Sequence, residues 1–150
     1  MSAITNKLPE WALASQELYD AYLDFLFSRE HICEKGTIDW YAFTLDKVMA
    51  WMVRNGVTRP TDITARHVRA YLSELTARGL KNSYVHNHAR AIRTILIFFH
   101  EEKYTPERIK FQMPDLEGVE VRYFTQDEIA KLVKACLTQR EKTVILVMVD

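Results

Sequence analysis

The chain has 150 residues, 48% hydrophobic and 27% charged, with 20 Lys or Arg balanced by 20 Asp or Glu. That balance excludes a disordered polyelectrolyte and leaves room for one true core or two small ones. Two distant cysteines, Cys33 and Cys136, exclude a disulfide scaffold and a zinc knuckle. Met1 leads into polar residues and no apolar run is long enough for a bilayer, so a cytoplasmic protein with no membrane partner is expected.

Four helices are predicted in the first two-thirds. The first runs from about Trp11 to Cys33, with Leu18, Tyr22, Phe25 and Leu26 on one face and Gly36 closing it. The second begins near Thr37 or Ile38 and buries Tyr41, Leu45, Val48 and Met52, with Trp40 and Trp51 at its edges. Asn55-Gly56 ends it and Pro60 blocks continuation. The third follows Thr64, a suitable N-cap, and buries Val68, Tyr71, Leu72 and Leu75. Arg66 and Arg69 stand off that face, and Arg78-Gly79 closes the helix.

The fourth is the stretch SYVHNHARAIRTILIFFH, residues 83–100. Val85, Ala89, Ile92, Leu96 and Phe99 recur at intervals of four, three, four and three, a continuous apolar stripe. His86, Arg90 and Arg93 share another side, and Asn82, Ser83 and Asn87 lie near the amino end. There the free backbone N–H groups of a helix start suit a phosphate.

Beyond residue 103 the periodicity breaks at Thr105-Pro106, Met113-Pro114 and Glu117-Gly118, so residues 104–121 are expected as a linker between domains 1–103 and 122–150. Thr125-Gln-Asp-Glu128 is a capping box, and Ile129, Leu132, Val133 and Cys136 continue a short helix. The apolar run VILVMV before Asp150 needs partners to bury it, which fits a piece of a longer protein.

Charge is uneven along the chain. Residues 54–93 hold eight Lys or Arg against two Asp or Glu, and they add His67, His86 and His88. Residues 1–53 hold four against eight, and residues 94–150 eight against ten. A basic middle between acidic flanks can steer an anionic partner although the total cancels. Charges on an amphipathic helix are commonly only solvated. Here, however, they span two successive helices and their turn, among amides and hydroxyls suited to phosphate and base-edge contacts.

Other chemistry has little support. The sequence lacks G-x-S-x-G, G-x-x-x-x-G-K and the dinucleotide fingerprint. His86 and His88 are two apart on a helix and point in different directions, so neither a metal site nor a cofactor is expected. Tyr22, Phe25, Trp51, Tyr71, Phe98 and Phe99 read as core, and Tyr84 as a surface residue beside the basic turn.

The order of TIDWY (37–41), Leu45, Trp51, Ile63-Thr64, HVRAYLSELTARG (67–79), residues 83–99 and RYFTQDEIAKLV (122–133) resembles the phage-integrase, or tyrosine recombinase, family. The resemblance implies an all-α, four-helix SAM-like core-binding domain, a linker, and the first helices of a mixed α/β catalytic domain. It implies double-stranded DNA as partner and other protomers of the same recombinase, four on two sites. Such enzymes cut and rejoin DNA through a 3′-phosphotyrosyl link and need no high-energy cofactor. The family's first catalytic arginine follows a Thr-Gly pair that would come after Asp150. The chain is therefore expected to hold no catalytic residue and to bind DNA without cleaving it. By position, the resemblance puts the DNA-facing surface on the third and fourth helices. Arg66, Arg69, Lys81, Ser83, His86, Asn87, Arg90 and Arg93 are its candidate residues. Arg90 or His86 is expected to read a base edge, and Lys81 and Ser83 to position phosphates. A helical protein-interaction module and a non-catalytic DNA-binding regulator remain alternatives.

Overall fold

The structure, a computed structural model, describes residues 8–116 and 123–149. The outer end of the expected linker, residues 117–121, and the start of the RYFTQDEIAKLV motif at Arg122 lie outside them. The described residues are all-α: seven α-helices, one short 3-10 turn and no strand. They divide into two compact units at the Glu117–Gly118 junction. None of these helices is long and apolar enough to cross a membrane.

The first unit contains α1 (Glu10–Leu13), α2 (Gln16–Arg29), α3 (Lys35–Arg54), a 3-10 turn (Pro60–Asp62), α4 (Ala65–Ala77) and α5 (Asn82–Glu101). The expected first helix is thus broken after Leu13. Ser15 leaves helical geometry at φ −155° and ψ 66°, and its buried hydroxyl donates to the Trp11 carbonyl at 2.8 Å. Trp11 in turn ties α1 to α3, donating its indole N–H to Asp46 Oδ1 at 2.7 Å.

The end of that helix also differs from expectation. α2 stops at Arg29, whose carbonyl accepts the N–H groups of Ile32 and Cys33. Gly36 sits inside the first turn of α3 with no positive φ, so it terminates nothing. The cap at the start of α3 is the Glu34 carbonyl, which accepts from Thr37 and Ile38.

The other two glycine stops are left-handed as expected. Gly56 has φ 88° and Gly79 φ 73°. At each, the next residue reaches back to the helix: Val57 N–H to Met52 O, and Leu80 N–H to Leu75 O. With Gly56 to Val53 and Gly79 to Thr76, both ends complete the paired Schellman pattern. Thr64 caps α4 by accepting from the His67 N–H, and His67 Nδ1 accepts from the Thr64 N–H.

The expected apolar faces are the observed core. Leu18, Phe25, Leu45, Val48, Met52, Val68, Ala89, Ile92 and Phe99 are essentially sealed from solvent. The six aromatics expected inside are all buried, while Tyr41 is only half-buried. α5 is the common neighbour: it packs on α2, α3 and α4.

Past α5, residues 104–116 are irregular but belong to the first unit. Lys103 takes a left-handed turn at φ 63°, and the chain folds back over the helices. Tyr104 packs on Phe98 and Phe99 and donates its hydroxyl to Asp24 Oδ2 at 2.9 Å. Ile109, Phe111 and Met113 pack against the core. Arg108, Lys110 and Gln112 between them are exposed. This period of two is that of an extended strap with one face on the core.

The second unit is a helical hairpin, α6 (Gln126–Ala135) and α7 (Gln139–Val149). Thr125 and Glu128 form the expected capping box. Thr138 and Glu141 form a second one at α7. No described residue of this hairpin is fully buried.

The positive φ of Gly79 has a measurable cost attached. A Cβ there meets nothing within 4 Å, so only backbone strain opposes it. Gly79→Ala should lower unfolding free energy in urea by about 1–2 kcal/mol, and Gly79→Asn by less.

Candidate nucleic-acid interface

The outward surface of α5 follows from its burial pattern. Val85, His88, Ala89, Ala91, Ile92, Ile95, Leu96, Phe98 and Phe99 are buried. Among the residues not buried, Ser83, His86, Asn87, Arg90, Arg93, Thr94 and Ile97 form a narrow strip at spacings of three and four. It carries no carboxylate before Glu101. On α4 the exposed residues are Arg66, Arg69, Ala70, Ser73, Glu74, Thr76 and Ala77. The turn between the two helices exposes Lys81.

Seven of the eight sequence-derived candidates are therefore exposed: Arg66, Arg69, Lys81, Ser83, Asn87, Arg90 and Arg93. His86 is half-buried, and its Nδ1 lies 3.0 Å from the Pro114 carbonyl at the end of the strap. Since a carbonyl only accepts, Nδ1 is the protonated nitrogen and donates to it. One ring edge of His86 thus fastens the strap, which leaves Nε2 as its remaining polar atom.

Among the described residues no carboxylate forms an ion pair with the cations of the strip. Among the described residues the one ion pair is Arg59–Asp62, at 3.2 Å, just before α4. Arg66, Arg69, Lys81, Arg90 and Arg93 are exposed and have no ion-pair partner among the described residues. Guanidinium groups in that state can grip phosphate oxygens in a fork or read a guanine edge.

Two further cations, Arg108 and Lys110, sit on the outward side of the strap. Sequence reading placed them in a linker. The alternation in RIKFQM, residues 108–113, was the available signal. Tyr84, expected at the surface, is half-buried and packed on the core. Its ring lies 4.4 Å from that of His88, and its hydroxyl accepts from Lys47 Nζ at 3.4 Å.

His88 shows why α5 has a histidine on its buried side. Burial, assisted by the charge of Lys47, pushes its imidazole down to about 4. Burial also raises Tyr71, which stays a phenol. The Tyr71 hydroxyl lies 2.8 Å from His88 Nδ1. A neutral imidazole then accepts at Nδ1 and keeps its proton on Nε2. His86 and His88 do point apart, and among the described residues no three His, Cys, Asp or Glu side chains converge on a metal position.

No family model, curated protein or solved structure matches this chain.

The buried histidine gives a pH signature. Its folded value is lowered, so the unfolded chain takes up a proton that the folded one refuses. Stability is fully present above about pH 6.5 and falls as pH drops toward about pH 4, by about 3 kcal/mol in total. Urea denaturation across that window should show this loss in the parent chain. A His88→Phe variant should lack that part of the slope.

Proposed function

We propose that this chain is a double-stranded-DNA-binding helical module of the kind found in the core-binding half of a site-specific tyrosine recombinase. The observation that carries the reading is the outward strip of α5. Ser83, Asn87, Arg90 and Arg93 stand there together, exposed, with no carboxylate among them and no ion-pair partner among the described residues. α4 adds Arg66 and Arg69, and the turn adds Lys81. The resemblance in motif order supplies the recombinase part of the proposal, including the SAM-like identity of the first unit. It also makes α6 and α7 the entry into a catalytic domain whose chemistry, on this reading, lies outside these residues. The same reading proposes assembly with further copies on DNA and no bound cofactor.

In this proposal Lys81 and Ser83 position phosphates at the amino end of α5, where unpaired backbone N–H groups add to the attraction. Arg90 is the base reader. His86 contributes only through Nε2, because Nδ1 is committed to the strap.

A protein-interaction role draws on a different observation. In the hairpin, Leu137, Val147 and Met148 are 94%, 72% and 81% exposed. That apolar surface suits another protein segment.

Fluorescence anisotropy with labelled duplex, at several salt concentrations, separates the two readings. DNA binding should appear at micromolar concentration and weaken steeply with salt. The Arg90→Ala, Arg93→Ala double variant should lower the log–log salt slope by about two. Absence of binding even at low salt would sink the DNA reading.

A further inference from the structure

A cleft of about 800 Å³ opens between α1, α3 and α4, with Tyr84 of α5 at its edge. Its volume is that of a small-molecule site. Two indoles help line it, and each holds a carboxylate. Trp11 Nε1 donates to Asp46 Oδ1 at 2.7 Å, and Trp51 Nε1 donates to Glu74 Oε2 at 2.5 Å. Three cations line the same cleft, Lys47, Arg54 and Arg78. None forms an ion pair among the described residues, although three carboxylates, Glu10, Asp46 and Glu74, line the same cleft. Asp46 and Glu74 are anchored by neutral indole donors, so the guanidinium forks of Arg54 and Arg78 are not engaged by them.

We propose that this cleft binds a nucleoside monophosphate, a planar heteroaromatic ring with amino donors and one phosphate. The phosphate pairs with Arg54 and Arg78, whose forks match its oxygens. The amino groups donate to the free lone pairs of Asp46 or Glu74. The half-buried ring of Tyr84, already packed on His88 at 4.4 Å, offers its outer surface to the heterocycle. The cleft is separate from the proposed DNA contacts, since Arg66, Arg69, Arg90 and Arg93 do not line it.

Placement can be read in the intact chain. Adenosine 5′-monophosphate, titrated in ¹H–¹⁵N NMR, should shift the indole N–H signals of Trp11 and Trp51 and leave that of Trp40, which does not line the cleft. Calorimetry should give a sub-millimolar Kd, at least about tenfold tighter than for adenosine or inorganic phosphate alone. Arg54→Gln with Arg78→Gln should weaken the nucleotide by about tenfold or more, while Arg90→Ala with Arg93→Ala leaves it unchanged. The proposal is overturned by no shift, by equal shifts at all three indoles, or by phosphate binding as tightly as the nucleotide. Loss of DNA binding with retained nucleotide binding would count against the DNA reading alone.

Discussion

Helix α5 has to satisfy three neighbouring helices at once, and most of the first unit follows from that demand. It packs on α2, α3 and α4 and buries Val85, His88, Ala89, Ala91, Ile92, Ile95, Leu96, Phe98 and Phe99. Ala89 and Ala91 are buried, and so, toward the carboxyl end, are Phe98 and Phe99. With so much of the surface apolar, the polar residues in the middle of the helix are crowded onto one strip. The concentration of charge there is a product of packing. His88 is the exception that tests the rule, a polar ring on the buried side. It is accommodated because Tyr71 supplies a hydrogen bond and because the ring stays neutral.

The second constraint is the return of the chain after α5. A non-glycine residue, Lys103, accepts a left-handed backbone there, at a cost of order 1 kcal/mol. Tyr104, held by Asp24 and packed on Phe98 and Phe99, offsets that cost and sets the direction of the strap. At its far end His86 fastens Pro114. The strap is therefore anchored at both ends of one helix, and the edge of the polar strip is fixed with it.

Much of this could be read from residue order. Helical periodicity gave the buried faces of α4 and α5, because their apolar residues recur without interruption. Gly56 and Gly79 marked true stops, since only a left-handed turn reconnects Val57 and Leu80 to the helices they leave. Gly36 misled because composition cannot tell a left-handed glycine from one that joins a first turn. The break at Ser15 was equally silent: it depends on a hydroxyl returning to the Trp11 carbonyl and on Trp11 finding Asp46, 35 residues away. Of the candidate interface, exposure was legible and partnership was not. His86 looked like a free surface residue until a carbonyl 28 positions later claimed one edge of it. Tyr84 looked superficial because its packing partner, His88, is itself an unusual core residue.

Strict alternation along residues 108–113 carries a consequence for how this protein can change over generations. Removing or adding a single residue there would exchange the two sides, turning Arg108 and Lys110 toward the core and Phe111 toward water. Changes of two residues would preserve the sidedness and merely shift where Pro114 meets His86. Variation in the length of this segment among descendants should therefore come in even steps, unlike the free drift of an ordinary loop.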